Sequence, residues 1–388
     1  MNQFNRIISE IEPSRSVTLM AKAKEMQRED PSVINLCGGE PDFPTPERIC
    51  REVEKALKEG DTHYSDFRGN ADLRARIAEK LLKDNGISCT ADDILITPGG
   101  KFAVYLAVRA LINPGDEAIW LTPGWVSYPS IVQAAGGMPV AVHLDQEEEY
   151  KVHRKQLKAA VSDRTKLLIL NSPNNPTGKV FSKEDLAEIK AFLKAHPDVS
   201  VLSDEIYESI VYEDFHAESL AADPELSERV IVVNGFSKSS AMTGWRIGYL
   251  MCKNQAMPVI QKLFQHTLSC VSGFLQRGAL VALDCKEETE QMRKAYSRRR
   301  DLLLRELGNV PGLKLFTPEG AFYAWIRFDV KEDSQTIATR LLEEAKIGGV
   351  PGDAYGEEGG TFVRFSFAAS DEVLLEMTKR LRRFMTDL

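Results

Sequence analysis

Lys238 stands just beyond the apolar run Val230-Ile-Val-Val233 and eight positions before Arg246, among small and hydroxyl residues in Asn234-Gly-Phe-Ser-Lys-Ser-Ser-Ala-Met-Thr-Gly-Trp-Arg246. Such a run reads as a buried strand, so the lysine falls at a strand's carboxyl end, where α/β folds bind ligands. An amine partly withdrawn from water loses basicity and becomes a nucleophile toward carbonyls. Asp204 occupies the same relation to the apolar run Val199–Ser203, with Tyr207 three residues on. Asn175 lies in the Asn-, Pro- and Gly-rich stretch Asn171–Gly178 after a further run. In Thr97-Pro-Gly-Gly-Lys101 a strand passes into a helix, so the amides of Gly100 and Lys101 form a ready anion site at the helix start. Each feature alone has an ordinary reading: a solvated lysine, a helix cap, a turn, a steric glycine. Brought to one crevice, they offer an amide, a carboxylate with a phenol, and a lysine, which the ordinary readings no longer account for together.

The elements that must carry these residues alternate between short apolar runs and amphipathic stretches. Strands are expected at Ile94–Thr97, Ala118–Leu121, Pro139–Val142, Lys166–Asn171, Val199–Ser203, Val230–Asn234 and Ile247–Met251. Helical patterns include Lys101–Ile112, and Glu184–Ala195 opened by the cap Ser182-Lys-Glu-Asp185. After Cys285 the pattern becomes a long charged helix to about Leu307, then strands near Phe322–Phe328 and Thr361–Phe367. The expectation is a three-layer, doubly wound α/β fold around a mostly parallel sheet, with a smaller α+β domain. Residues 1–43 are assigned to an N-terminal segment joining the small domain, 44–285 to the large cofactor-binding domain and 286–388 to the small domain.

Composition narrows the function classes. The 388 residues carry a net charge of −8, with 27% charged and 43% hydrophobic residues. That balance argues against a nucleic-acid surface, and Arg298-Arg-Arg300 is too short a basic cluster to offset it. No apolar run reaches membrane-spanning length, and the amino terminus lacks the apolar core of a signal peptide. The six cysteines show no metal-binding spacing. They read as reduced, which suits a cytoplasmic protein.

The chain resembles the class I pyridoxal-phosphate-dependent aminotransferases of fold type I, and within them the aspartate aminotransferase-like enzymes. The resemblance runs through Gly38-Gly-Glu-Pro-Asp-Phe-Pro-Thr-Pro46, His63-Tyr-Ser-Asp-Phe-Arg-Gly69, Thr97-Pro-Gly-Gly-Lys101, Asn174-Asn-Pro-Thr-Gly178 and Ser203-Asp-Glu-Ile-Tyr207. It continues through Ser237-Lys to Arg246, Pro318-Glu-Gly-Ala-Phe-Tyr323, Pro351-Gly-Asp-Ala-Tyr-Gly356 and Phe362-Val-Arg-Phe-Ser366, in the family's order. It implies that Lys238 holds the aldehyde of pyridoxal 5′-phosphate as a Schiff base and later moves the substrate proton. It implies that Asp204 pairs with the pyridine nitrogen and that Asn175 and Tyr207 serve the ring oxygen. By the same resemblance Arg246, Ser237 and the amides of Gly100 and Lys101 hold the phosphate, and Trp125 stacks on the ring. Arg364 is implied to grip the substrate α-carboxylate beside Gly39 and Asn175. Tyr64 is implied to reach the phosphate of the partner subunit, which makes a homodimer with shared active sites.

The activity so implied is transfer of an amino group from an L-amino acid to a 2-oxo acid such as 2-oxoglutarate. Lys101 and Ser16 match positions that approach the distal carboxylate in aspartate-preferring relatives, so aspartate is the first expectation. Lys101 has a competing reading as a helix-start surface lysine. Tyr355 stands where many relatives carry phenylalanine, and Trp325 where a smaller residue is common; both are expected near the side-chain pocket. The resemblance also implies cis peptides at Thr122–Pro123 and Asn175–Pro176. Two alternatives stay open: C–S β-lyase or synthase chemistry on the same fold, and a cofactor-binding sensor domain of a regulator. The second is disfavoured, because the family pattern begins within the first forty residues and the expectation is that no DNA-binding module precedes it.

Overall fold

The computed structural model describes residues 4–13, 15–213, 215–356 and 360–387, without the side chains of residues 15 and 16. Seven strands form its larger sheet: β1 (Ile94–Thr97), β2 (Glu117–Thr122), β3 (Met138–His143), β4 (Thr165–Asn171), β5 (Ser200–Asp204), β6 (Val230–Gly235) and β7 (Gly248–Cys252). All seven expected strands are present, displaced by a residue or so at their ends. Their order across the sheet is β1-β7-β6-β5-β4-β2-β3. Only β7 runs against its neighbours; the other pairings are parallel. Strands β1, β2, β6 and β7 are buried along their whole length, as a sheet covered on both faces requires. The edge strand β3 leaves Met138 and Ala141 exposed.

Because β7 is antiparallel to both β1 and β6, the carboxyl ends of β1, β6, β5 and β4 point the same way. The sheet therefore gathers Gly100, Lys238, Asp204 and Asn175 along one edge. The helices around it include α2 (Gly100–Leu111), α3 (Ser127–Ala134) and α4 (Lys183–Ala195), while α1 (Arg15–Glu29) and α5 (Lys286–Leu307) lie with the rest of the chain. The capping box of α4 forms as its sequence predicts: Ser182 Oγ accepts from the Asp185 amide at 3.1 Å, and Asp185 accepts from the Ser182 amide at 2.9 Å.

A second, antiparallel sheet has the order β10-β11-β9-β8, built from β8 (Leu313–Leu315), β9 (Tyr323–Phe328), β10 (Val350–Pro351) and β11 (Thr361–Ser366). Ile34–Asn35 pairs in parallel with Ile347–Gly348, tying the early chain to its last hundred residues. Two apolar cores result: one spans the seven-stranded sheet, and one packs the smaller sheet against α5 and the helix Asp371–Asp387.

The peptide bonds require one correction. Thr122–Pro123 is cis as expected, but the second cis bond is Ser172–Pro173, not Asn175–Pro176. Residues 174–178 instead close as a single helical turn. The Gly178 amide donates to the Asn174 carbonyl at 2.9 Å, and Asn174 Oδ1 accepts from the Thr177 amide at 3.1 Å. A trans proline inside that turn suits its backbone, and bends at Ser172 and Pro173 precede it where the chain leaves β4.

Candidate active site

A cavity of about 430 Å³ opens at the carboxyl edge of the larger sheet. The lining includes Gly39, Gly100, Lys101, Trp125, Asn175, Asp204, Tyr207, Ser237, Lys238, Arg246 and Arg364, so the crevice inferred from the strand ends exists as one space. Two expected site residues are not among that lining. Tyr64 is 91% exposed and does not line the cavity of its own chain. The Ser16 side chain lies outside the described residues, although its neighbour Val17 lines the cavity.

Lys238, just past β6, is half-buried, and its Nζ donates to the carbonyl of Gly39. Burial pulls its amine down to about 8; the nearby charges of Arg246 and Arg364 reinforce that pull, and Glu40 opposes it. Asp204, the last residue of β5, is buried and is raised to about 6 by desolvation. Its charge is favoured by Tyr128, whose hydroxyl donates to Oδ2 at 2.8 Å, and by the Ile206 amide on Oδ1 at 3.3 Å. Asn171 Nδ2 donates to the Asp204 carbonyl at 2.9 Å while its Oδ1 accepts the Asn175 amide at 2.9 Å. The end of β4 is thereby locked to the end of β5.

Arg364, central in β11, is buried, and comes to the cavity from the smaller sheet. Its Nη1 donates to Asn175 Oδ1 at 3.0 Å and its Nη2 to the Cys37 carbonyl at 2.5 Å. Nε is buried without a partner among the described residues. Tyr207 and Tyr323 share a hydroxyl–hydroxyl hydrogen bond of 2.7 Å. Tyr323 Oη is also the atom that a Cβ at Gly39 would strike, at 2.6 Å, which is why that position needs glycine.

At the other end, α2 begins at Gly99, which has φ +82° and supplies no side-chain cap. A Cβ there would lie 2.6 Å from Arg246 Nη2. Arg246 itself holds φ +53°, a conformation uncommon outside glycine, and its Nη1 donates to the Thr243 carbonyl at 2.8 Å. Uncapped amides beside a guanidinium make a seat for a phosphate. Lys101 Nζ lies 4.9 Å from the Trp125 ring centroid and is held below its ordinary range by desolvation and by the charge of Arg246.

Tyr355 lines the cavity, but Trp325 does not. Trp325 stands behind it, stacked on Phe362 at 5.1 Å and meeting Tyr355 edge-on at 5.6 Å. The residues that sequence reasoning missed are Tyr128, Asn171 and Tyr323. Tyr323 was visible in the motif Pro318–Tyr323, whereas nothing local marked Tyr128 as a partner of Asp204.

A fold of this type, with a lysine, a carboxylate and an anion seat at one sheet edge, defines a pyridoxal-phosphate enzyme of fold type I. The model of the aminotransferase class I and II family matches residues 31–381, and the chain belongs to that family. It is 39% identical over 378 residues to an aspartate aminotransferase of Musicola paradisiaca, covering 96% of this chain and 94% of that one. The aspartate aminotransferase from Thermus thermophilus with maleate superposes with a TM-score of 0.93 at 38% identity, over 99% of this chain and all of the other. An aromatic aminotransferase from Pyrococcus horikoshii gives 0.89 at 39% identity, over 95% and 99%. The protein is therefore a pyridoxal-phosphate-dependent aminotransferase, acting on an amino acid and a 2-oxo acid. No helix among the described residues is long and apolar enough to cross a membrane.

Proposed function

We propose that the residues converging on the cavity divide the transamination between them, and that the preferred donor is an acidic amino acid. The observation that carries this reading is that Lys238, Asp204 and Arg364, from two different sheets, line one space. Pyridoxal phosphate, when bound, supplies an aldehyde for the amine and a ring that accepts electrons. Gly100, Lys101 and Ser237 would hold its phosphate with Arg246, Trp125 its ring face, Asp204 its pyridine nitrogen, and Asn175 and Tyr207 its ring oxygen. Lys238, whose amine burial pulls down to about 8, would hold the aldehyde and is suited to carry a proton to and from the substrate α-carbon. Arg364 would receive the α-carboxylate beside Gly39, for which a planar fork is the fitting donor.

Lys101 supports the acidic preference, since its amine overlies Trp125 and faces the cavity. The relatives named for aspartate agree with it. Ser16 retains its proposed place beside the distal carboxylate. Residues 286–388 and the early segment through residue 43 are read as a body that closes on residues 44–285. Closure would dry the pocket and strengthen the Lys101 contact.

We read the working unit as a homodimer in which Tyr64 serves the partner's phosphate seat. The 91% exposure of Tyr64 and the exposed Phe4, Ile7 and Ile8 support that. Six unpaired cysteines support a cytoplasmic setting.

The test is a donor screen with 2-oxoglutarate. Lys101→Ala is expected to lower kcat/KM for aspartate and glutamate at least about tenfold while alanine and aromatic donors change within about twofold. Equal losses for all donors would leave Lys101 with the phosphate role only. A wild-type preference for aromatic donors would favour the aromatic reading that Trp125, Tyr128, Tyr323 and Tyr355 around the cavity allow.

A further inference from the structure

The guanidinium of Arg364 lies between two phenols: its carbon is 4.4 Å from the Tyr323 ring centroid and 5.3 Å from that of Tyr355. The two hydroxyls differ. That of Tyr323 is engaged by Tyr207 at 2.7 Å, whereas that of Tyr355 is buried with no partner among the described residues. A buried hydroxyl without a partner is destabilising, and native folds rarely keep one without use. Nothing suggests that the Tyr355 ring is loosely placed. Trp325 holds its edge, the Tyr355 carbonyl accepts the Gly124 amide at 3.0 Å, and the residue has no exposure to solvent. A phenylalanine here would give the same packing without the unsatisfied oxygen.

The second buried orphan among the residues lining this cavity is Arg364 Nε. A guanidinium has five N–H donors, and among the described residues this one makes two hydrogen bonds, to Asn175 and Cys37. Charged and neutral donors thus remain unspent side by side. Their shared complement is an anion with several acceptor lone pairs, which is what a carboxylate offers. Burial also keeps the Tyr355 phenol protonated, so it remains a donor across the working pH range.

We infer that Tyr355 is a further substrate-binding residue, its hydroxyl donating to the α-carboxylate that Arg364 receives. The inference rests on the reading of Arg364 given above. It makes Tyr355 a neutral supplement to the charged fork, and it makes the contact common to every amino donor whatever its side chain. Trp325 is then a positioning residue, setting the angle of the phenol from behind.

The test compares Tyr355→Phe and Arg364→Lys holoenzymes with aspartate, alanine and phenylalanine as donors, and records thermal melting of each. Tyr355→Phe is expected to raise KM about tenfold for all three donors, with kcat within about twofold. Its melting temperature is expected to stay level or rise, because the variant loses an unsatisfied hydroxyl and keeps the ring. An unchanged KM, a change confined to one donor, or a lower melting temperature would overturn the inference. Arg364→Lys separates the two readings. If it raises KM for every donor while Tyr355→Phe does nothing, only the role of Tyr355 fails; if it too leaves KM unchanged, the carboxylate site has been misplaced altogether.

Discussion

Opposed influences act on Asp204: burial disfavours its charge, and a 2.8 Å hydrogen bond from Tyr128, with smaller help from the Ile206 amide and Lys238, favours it. Only the ionised carboxylate can keep a pyridine nitrogen protonated, so in the proposed pairing this balance would bear on the lower pH limit of activity. A hydrogen bond to a charged group contributes on the order of 1.5–3 kcal/mol, about one to two pH units. Tyr128→Phe removes the donor and leaves the ring against Trp125. The folded-state value of Asp204 should then rise further, so the ionised form should require a higher pH. The acid limb of the kcat/KM profile is expected to move upward by about one unit, with the plateau little changed; a limb that stays in place would assign Tyr128 to packing alone. Asp204 itself was legible from its place beyond an apolar strand. Tyr128 was not, because in α3 it reads as one more apolar position. Its partner lies 76 residues away and meets it only because β2 and β5 flank β4 in the sheet.

At the scale of elements, the join between β1 and α2 can be tested directly. Gly99 has φ +82° and ψ 163°, a region that side-chain-bearing residues scarcely enter, at a cost of about 1–3 kcal/mol. An alanine methyl would also press on Arg246 from 2.6 Å. Gly99→Ala is therefore expected to turn the first amides of α2 and displace the guanidinium together. The dissociation constant of pyridoxal phosphate, followed by absorbance titration, should rise at least about tenfold. An unaltered constant would mean that this helix start is not the phosphate seat. The large-sheet strands were legible because parallel strands buried on both faces are continuous β-branched and aliphatic runs, as in Val230–Val233 and Leu167–Leu170. Their order was not, since crossovers leave no mark in local periodicity. The short strands Leu313–Leu315 and Val350–Pro351 carry too few residues to show alternation. The bend at Ser172–Pro173 was masked by the equally turn-rich Asn174–Gly178.

At the scale of the whole molecule, the proposed homodimer relates one chain's cavity to the next. Residue periodicity says nothing of it; the expectation of a shared site came through the motif around Tyr64. A tyrosine that is 91% exposed and absent from its own cavity lining is hard to explain as packing, and easy to explain as half of a contact. In the proposed two-fold dimer, a residue that serves the partner's site would do so reciprocally, so each cavity would draw Lys238 from one chain and Tyr64 from the other. Complementation follows from that geometry. Lys238→Ala is expected to be inactive, and Tyr64→Ala to be weak when pyridoxal phosphate is limiting. In a hybrid of the two, the Tyr64→Ala chain keeps its own Lys238 and receives Tyr64 from the Lys238→Ala chain, restoring one complete site per dimer. Random reassortment makes about half of the dimers hybrid, so turnover on the order of a quarter of wild type should return. If Tyr64 acted within its own chain, the hybrid would hold one site without lysine and one without the phenol. Mixing would then recover nothing beyond the sum of the two variants, and the shared-site dimer would be excluded as the reason for this tyrosine.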